Sequence, residues 1–333
     1  MNSDTVLFLR SDVVFRVVGP ERVEATVDGV SKPMHITMHK IAIEFAAPRS
    51  CRNAYESLEV DGDLHAFERL VHALVADGIL QEPVDDTAAG SIETLLRPGL
   101  FDDPGVWPRI GREIAQGRAV VIASAFEKGF AERVHTALDR CARWPSQEAA
   151  EPFFHYRHHA LHDRGQYPPE LLECHRIFTS RATRRLMSEV TGSDCAGPAR
   201  FTAATYLAED HTLPHTDALN NHAIAYVWHL AKDWKPEWGG HFVWCPSGAI
   251  MSPAFNCLVL FKVSSESLHF VSSVSPLARG VRVAVGGWWQ SRGEPWQVTH
   301  EHLVAGNTQV RRGIYGLPTQ TLEAEDANGV VLL

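Results

Sequence analysis

Residues 213–230 read Leu213-Pro214-His215-Thr216-Asp217-Ala218-Leu219-Asn220-Asn221-His222-Ala223-Ile224-Ala225-Tyr226-Val227-Trp228-His229-Leu230. This stretch decides the fold, because a His-x-Asp triplet is followed at once by a run with strand composition. Working outward, Phe201–Leu207, Ala223–Leu230, Gly240–Cys245, Cys257–Val263, Ser267–Val271 and Val281–Trp289 are all rich in β-branched and aromatic residues. Gly, Pro, Asn and Ser separate them. Short strands spaced by turn residues predict a sandwich or jelly roll.

Side chains alternate along a strand, so His215 and Asp217 are expected on one face with Thr216 turned away. The same alternation puts His269, Val271 and Ser273 together, opposite Leu268 and Phe270. Two His and one carboxylate on one side of a metal leave its other side open, the arrangement suited to a non-haem Fe(II) oxygenase. In Val281-Arg282-Val283-Ala284-Val285-Gly286 the arginine shares its face with Ala284 and Gly286, and valines fill the other. A guanidinium in that setting is costly to bury unless it meets an anion, and a carboxylate matches its forked donors. Arg279, in the turn before, competes for this role, but a turn residue beside glycine tends to face solvent. The bland reading makes the three ligands hydrogen-bonded core residues and Arg282 part of a structural ion pair. His211, His222 and His241 lack the register of ligands. Trp288 reads equally as a substrate contact and as packing.

With HTD at 215–217, AYVWHLAKDWKPEWGGHFVW at 225–244, NCLVLFKV at 256–263, HFVSSV at 269–274 and RVAVGGWW at 282–289, the stretch resembles the catalytic core of prolyl-4-hydroxylase-like Fe(II)/2-oxoglutarate dioxygenases. The resemblance covers about 90 residues (201–289) well and 96–200 in helical character. It implies a double-stranded β-helix with flanking helices. It further implies Fe(II) held by His215, Asp217 and His269, 2-oxoglutarate with its far carboxylate on Arg282, O2 as second cosubstrate, and hydroxylation of a C–H bond. Tyr206 stands where such proteins place a hydroxyl near the cosubstrate. His229 occupies a position where relatives often carry Tyr, and both cosubstrate binding and a core role stay open for it. Asp217 argues against halogenation, since the halogenases of the family replace that carboxylate with a small residue.

The 333 residues suffice for two domains. The fold class expected is α+β to mainly β, a jelly-roll oxygenase core preceded by a small α+β unit. Residues 1–82 are read as the small domain, 83–95 as a polar linker, 96–290 as the oxygenase domain, mainly helical up to 197, and 291–333 as an extension. Three strand-like runs at 6–27, a short helix at 38–46 and an amphipathic helix capped by Asp63 loosely resemble winged-helix peptide-binding domains. Such domains capture a leader segment as an added strand; packing or homodimerisation are the alternatives. The net charge of −9 speaks against nucleic acid, and no apolar run approaches a membrane span. Six scattered cysteines without a C-x-x-C pair fit reduced thiols in a cytoplasm. The expected partner is a peptide or a free small-molecule substrate. A non-catalytic barrel used for binding or sensing is the alternative from another class.

Overall fold

The computed structural model describes residues 4–10, 13–27, 30–45, 49–58, 63–81, 90–100, 102–151, 154–161, 164–218, 221–292 and 329–333. Most of the expected linker, and Asn220 in the active-site stretch, lie outside them.

The N-terminal part runs β1 (Val6–Leu9), β2 (Val14–Gly19), β3 (Arg22–Val27), β4 (Val30–His35), α1 (Ile36–Glu44), β5 (Arg49–Ser50), α2 (Cys51–Ser57), α3 (Leu64–Ala76) and β6 (Leu80–Gln81). β2, β3 and β4 form one antiparallel sheet, and β5, β1 and β6 another. The Asp63 carboxylate accepts from the Ala66 N–H at 2.7 Å and starts α3, as an N-cap should. Phe67, Val71 and Leu74 recur at helical spacing and bury with Leu7, Ala25, Ile41 and Phe45 in a cluster drawn from residues 7–80. Leu70, expected on that stripe, stays 37% exposed.

Then follow α4 (Val106–Ala115), β7 (Val120–Ile122), α5 (Lys128–Asp139), β8 (Ser146–Glu151), β9 (Phe154–Leu161), α6 (Pro169–Thr179) and α7 (Arg181–Thr191). The strands β10 (Ala199–Tyr206), β11 (His211–His215), β12 (His222–His229), β13 (Phe242–Trp244), β14 (Ala249–Met251), β15 (Cys257–Lys262), β16 (His269–Val271), β17 (Arg282–Gln290) and β18 (Val330–Leu332) complete the chain. Among the described residues they join one antiparallel sheet in the order β14-β13-β16-β11-β9-β10-β17-β12-β15-β7-β18, with β8 on β9.

This sheet curls back on itself. β13 and β15 are remote in pairing order, yet the rings of Trp244 and Phe261 lie 5.0 Å apart, and Phe261 lies 4.7 Å from His269. The result is the double-stranded β-helix. Its outer face, with Phe201, Ala203, Tyr226, Trp228, Val283, Val285 and Trp289, packs on α4 to α7 in the main core. Its inner face holds Ala225, Phe242, Trp244, Val259 and Phe261. Side chains alternate between the two faces along β10, β12 and β17.

Two elements were not anticipated. The stretch expected to be mainly helical contains the hairpin β8–β9, and β9 enters the sheet between β11 and β10. Its sequence, FHYRHHAL, is too polar to read as a strand. The polarity is absorbed by Asp210, 1% exposed, which accepts from Arg157 Nε at 3.0 Å and from His159 Nδ1 at 2.9 Å. The second is β18, which brings the end of the chain onto β7.

Phe178 on α6 is fully buried and joins helix to sheet, touching the rings of Phe126, Phe201, Tyr226 and Trp228. Replacing Phe178 with Ala is expected to lower the unfolding free energy by about 3–5 kcal/mol, read as a shift in the urea midpoint of this domain.

Candidate metal and cosubstrate site

The short strand β11 lies between β9 and β16, and His215 is the direct cross-strand partner of His269. Their rings lie 4.4 Å apart. Asp217 is not on the strand. β11 ends at His215, and Asp217 takes a left-handed backbone with φ 58°, which aspartate tolerates better than most residues. The turn, rather than strand alternation, brings the carboxylate back, with Oδ1 3.2 Å from His215 Nε2 and Oδ2 3.5 Å from His269 Nε2. One potential ligand atom from each residue falls within 4.8 Å of the others.

Both imidazoles are held in one tautomer. His215 Nδ1–H donates to the Leu213 carbonyl at 2.8 Å, and His269 Nδ1–H to the Ser267 carbonyl at 2.8 Å. Carbonyls accept only, so each Nε2 keeps its lone pair, aimed at the shared point. Burial alone would raise the Asp217 carboxyl, but the two adjacent imidazoles outweigh it and hold the group ionised, well below the usual carboxylate range. Burial, together with His215, pushes His269 down to about 4, so it stays a neutral donor. Burial would lower His215, but the Asp217 carboxylate outweighs it and raises that imidazole; an anionic oxygen and two imidazole nitrogens on one side of a point are the donor set that fits a divalent transition metal with open positions.

A further layer orients the carboxylate. Trp288 Nε1–H donates to Asp217 Oδ2 at 2.9 Å. Its ring stacks on His222 at 4.4 Å and 4°, and His222 Nδ1–H donates to the Asp217 carbonyl at 3.0 Å. Desolvation, with the nearby charge of Arg200, keeps His222 uncharged, down to about 4. The sequence reading left Trp288 between packing and substrate contact and did not find this role. Counting by twos from Arg282 along β17 would have put it on the inner face.

Arg282 is 2% exposed. Its Nε–H donates to the Gly240 carbonyl at 2.6 Å, and the guanidinium lies 4.2 Å over the Tyr206 ring. The Tyr206 hydroxyl pairs with Thr212 Oγ1 at 2.8 Å. Burial draws Arg282 down to about 10, and no carboxylate among the described residues pairs with it. Gly240, at φ 65°, is required here, because a Cβ would stand 2.7 Å from Arg282 Cδ. Beside it, His229 pairs across with Ala284, one inner-face step from Arg282, and neither of its ring nitrogens has a partner. Desolvation and the Arg282 charge push His229 down to about 3. Arg279 is exposed on its turn. The sequence-derived residues therefore form two adjoining groups, His215 with Asp217 and His269, and Arg282 with Tyr206 and His229. His211 pairs instead with His155 at 2.8 Å, and His241 with Ser252.

The curled β-helix thus carries a two-His-one-carboxylate cluster and a buried arginine on its inner face. Residues 201–290 match the family described as the 2OG-Fe(II) oxygenase superfamily, and this part of the chain is such a domain, whose members use Fe(II), 2-oxoglutarate and O2. The chain is 31% identical over 117 residues to Prolyl 3-hydroxylase OGFOD1 of Mus musculus, covering 32% of this chain and 21% of that protein. It is 30% identical over 116 residues to the Xenopus laevis protein of the same name, covering 32% and 22%. It thus spans about a fifth of the length of these curated relatives. Among solved structures, it is similar to a Pseudomonas putida prolyl-4-hydroxylase, at 16% identity, 56% and 98% coverage and a TM-score of 0.42.

Replacing Trp288 with Phe keeps the aromatic ring and removes the donor to Asp217. We expect Mn(II) affinity to fall roughly tenfold, measured by calorimetry on the metal-free protein.

Proposed function

We propose that this protein hydroxylates a C–H bond of an amino-acid side chain in a peptide or protein, using Fe(II), 2-oxoglutarate and O2. The observation that carries the reading is the adjacency of the His215/Asp217/His269 cluster to a buried cation, Arg282, that lacks a carboxylate partner. His215, Asp217 and His269 would hold the metal. Arg282 would receive the far carboxylate of 2-oxoglutarate, with Tyr206 stacked against it and His229 donating a ring N–H toward the cosubstrate. Bound iron, with both cosubstrates, supplies the oxidation that turns 2-oxoglutarate into succinate and CO2 and a substrate C–H into C–OH.

The residues of the chain bind, orient and exclude water. The orphaned nitrogens of His229 support the assignment, since a fully buried imidazole without partners is costly and a ligand oxygen would relieve it. Trp288 and His222 fix the carboxylate, and Phe242, Trp244 and Phe261 pack around His269 and keep its side of the site dry.

A peptide or protein substrate is supported by the named activity of the similar proteins, both prolyl 3-hydroxylases. The N-terminal part is assigned to peptide capture by strand addition at β2. β2 pairs with β3 on one side, and its Val17 and Val18 are 65% and 45% exposed. The opposite edge strand, β4, carries Lys32 and Pro33, which resist such pairing. A reducing compartment such as the cytoplasm is assigned from the six cysteines, all of them free thiols. No helix among the described residues is long and apolar enough to cross a membrane.

The reading is tested by succinate release from 2-oxoglutarate under Fe(II) and O2, and it fails if metal-loaded protein neither binds 2-oxoglutarate nor turns it over. Arg282→Ala is expected to raise the Kd for 2-oxoglutarate roughly thirtyfold, about 2 kcal/mol, with Mn(II) binding retained. Gly240→Ala should move the same constant in the same direction by displacing the Arg282 stem, although residue 240 carries no charge.

A further inference from the structure

The inner wall formed by β10 and β17 carries an arginine at each end. Its cross-strand pairs run Tyr206 with Arg282, Ala204 with Ala284, Thr202 with Gly286, and Arg200 with Trp288. Phe201 and Ala203, on the opposite face of β10, belong to the helix-facing core, so Arg200 shares the inner face with Thr202, Ala204 and Tyr206. Six strand steps separate Arg200 from Tyr206, about 20 Å. A five-carbon diacid seated on Arg282 is far too short to reach Arg200. The residues between are small: Thr202, Ala204, Ala284 and Gly286.

Arg282 is braced by a backbone carbonyl and a tyrosine ring, and Arg157 by Asp210 and Glu209. Arg200 is different. Its backbone carbonyl accepts from the Tyr226 hydroxyl at 2.8 Å, but its guanidinium has no hydrogen bond or ion pair among the described residues. It is partly buried, and burial weakens its hold on its proton with no anion to offset the effect. Its cross-strand neighbour, Trp288, is the residue that donates to Asp217. A half-buried guanidinium without an internal partner, one side chain from the His215/Asp217/His269 cluster, is placed to pair with an incoming anion.

We propose that Arg200 is a specificity-determining residue that binds a carboxylate of the primary substrate and so places the neighbouring C–H bond at the metal. This deepens the reading above and rests on it. A carboxylate fits better than a phosphate, because one guanidinium offers a single positive charge and a two-donor fork. The carboxylate belongs either to an acidic side chain next to the target residue or to a free C-terminal acid.

The test uses the full chain loaded with Mn(II) and 2-oxoglutarate without oxygen. Proton relaxation caused by the metal reports small ligands that bind beside it. The probes are two matched pairs: N-acetyl-L-proline against N-acetyl-L-prolinamide, and N-acetyl-Pro-Asp-amide against N-acetyl-Pro-Asn-amide. Wild type is expected to bind the acid of at least one pair about tenfold more tightly than its neutral partner. A preference in the first pair assigns a terminal carboxylate, and one in the second an acidic side chain. Arg200→Gln should abolish the preference and Arg200→Lys retain part of it, both with unchanged affinity for 2-oxoglutarate. Wild type that binds Mn(II) and 2-oxoglutarate but favours neither acid overturns the proposal and leaves the oxygenase reading standing, as does a preference that survives in Arg200→Gln. Failure of wild type to bind Mn(II) and 2-oxoglutarate sinks the oxygenase reading itself.

Discussion

The site depends on one constraint: β11, five residues long, is clamped between β9 and β16, so that His215 must face His269 across a rung. Two imidazoles at that separation repel once protonated, and an ionised aspartate beside them would be expensive alone. Together they are compatible, because the imidazoles lower the Asp217 carboxyl while that carboxylate raises His215, and buried His269 stays neutral. The rest of the domain keeps this arrangement in place. The sheet curls until β15 reaches β13 and β16, and four helices seal its outer face.

Polar satisfaction is graded through the inner face. His215 and His269 each spend one nitrogen on a carbonyl two residues before them. Asp217 is braced by Trp288 and by His222 through its backbone. Arg282 spends Nε on Gly240 and stacks on Tyr206, leaving its terminal nitrogens for a ligand. His229 and Arg200 carry no such internal bonds, and both stand on the wall that a cosubstrate and a substrate would occupy. A ligand on that wall would meet both of these polar groups.

The outer face follows the opposite rule. There the strands present Phe201, Tyr226, Trp228 and Trp289, and the polar tips find partners, as when Trp289 donates to the Phe178 carbonyl and Trp228 to Asn256. Helix packing is close enough that a Cβ on Gly111 would stand 1.9 Å from the Val190 carbonyl oxygen. Gly287 is as tightly placed, with Arg200's carbonyl oxygen 1.9 Å from a would-be Cβ. The glycine pair of β17 thus serves two ends: residue 287 admits a neighbouring strand, and residue 286 keeps the cavity wall low.

What the chain order determined by itself was periodic. Alternation on β10, β12 and β17, the stripe on α3 and the valines around Arg282 each reflect a local repeat that burial on one face imposes. Those repeats were legible without coordinates, and with them the jelly roll. Tertiary structure decided the rest. The strand β9 is invisible to a hydrophobic pattern, because Arg157 and His159 are satisfied by Asp210, some fifty residues away in the chain, and His155 pairs with His211. Asp217 reaches its neighbours through a left-handed turn that no alternation rule predicts, and β18 pairs with β7 across about 200 residues. Pairing between distant segments is set by the whole sheet closing at once, and a local window of sequence carries no record of it.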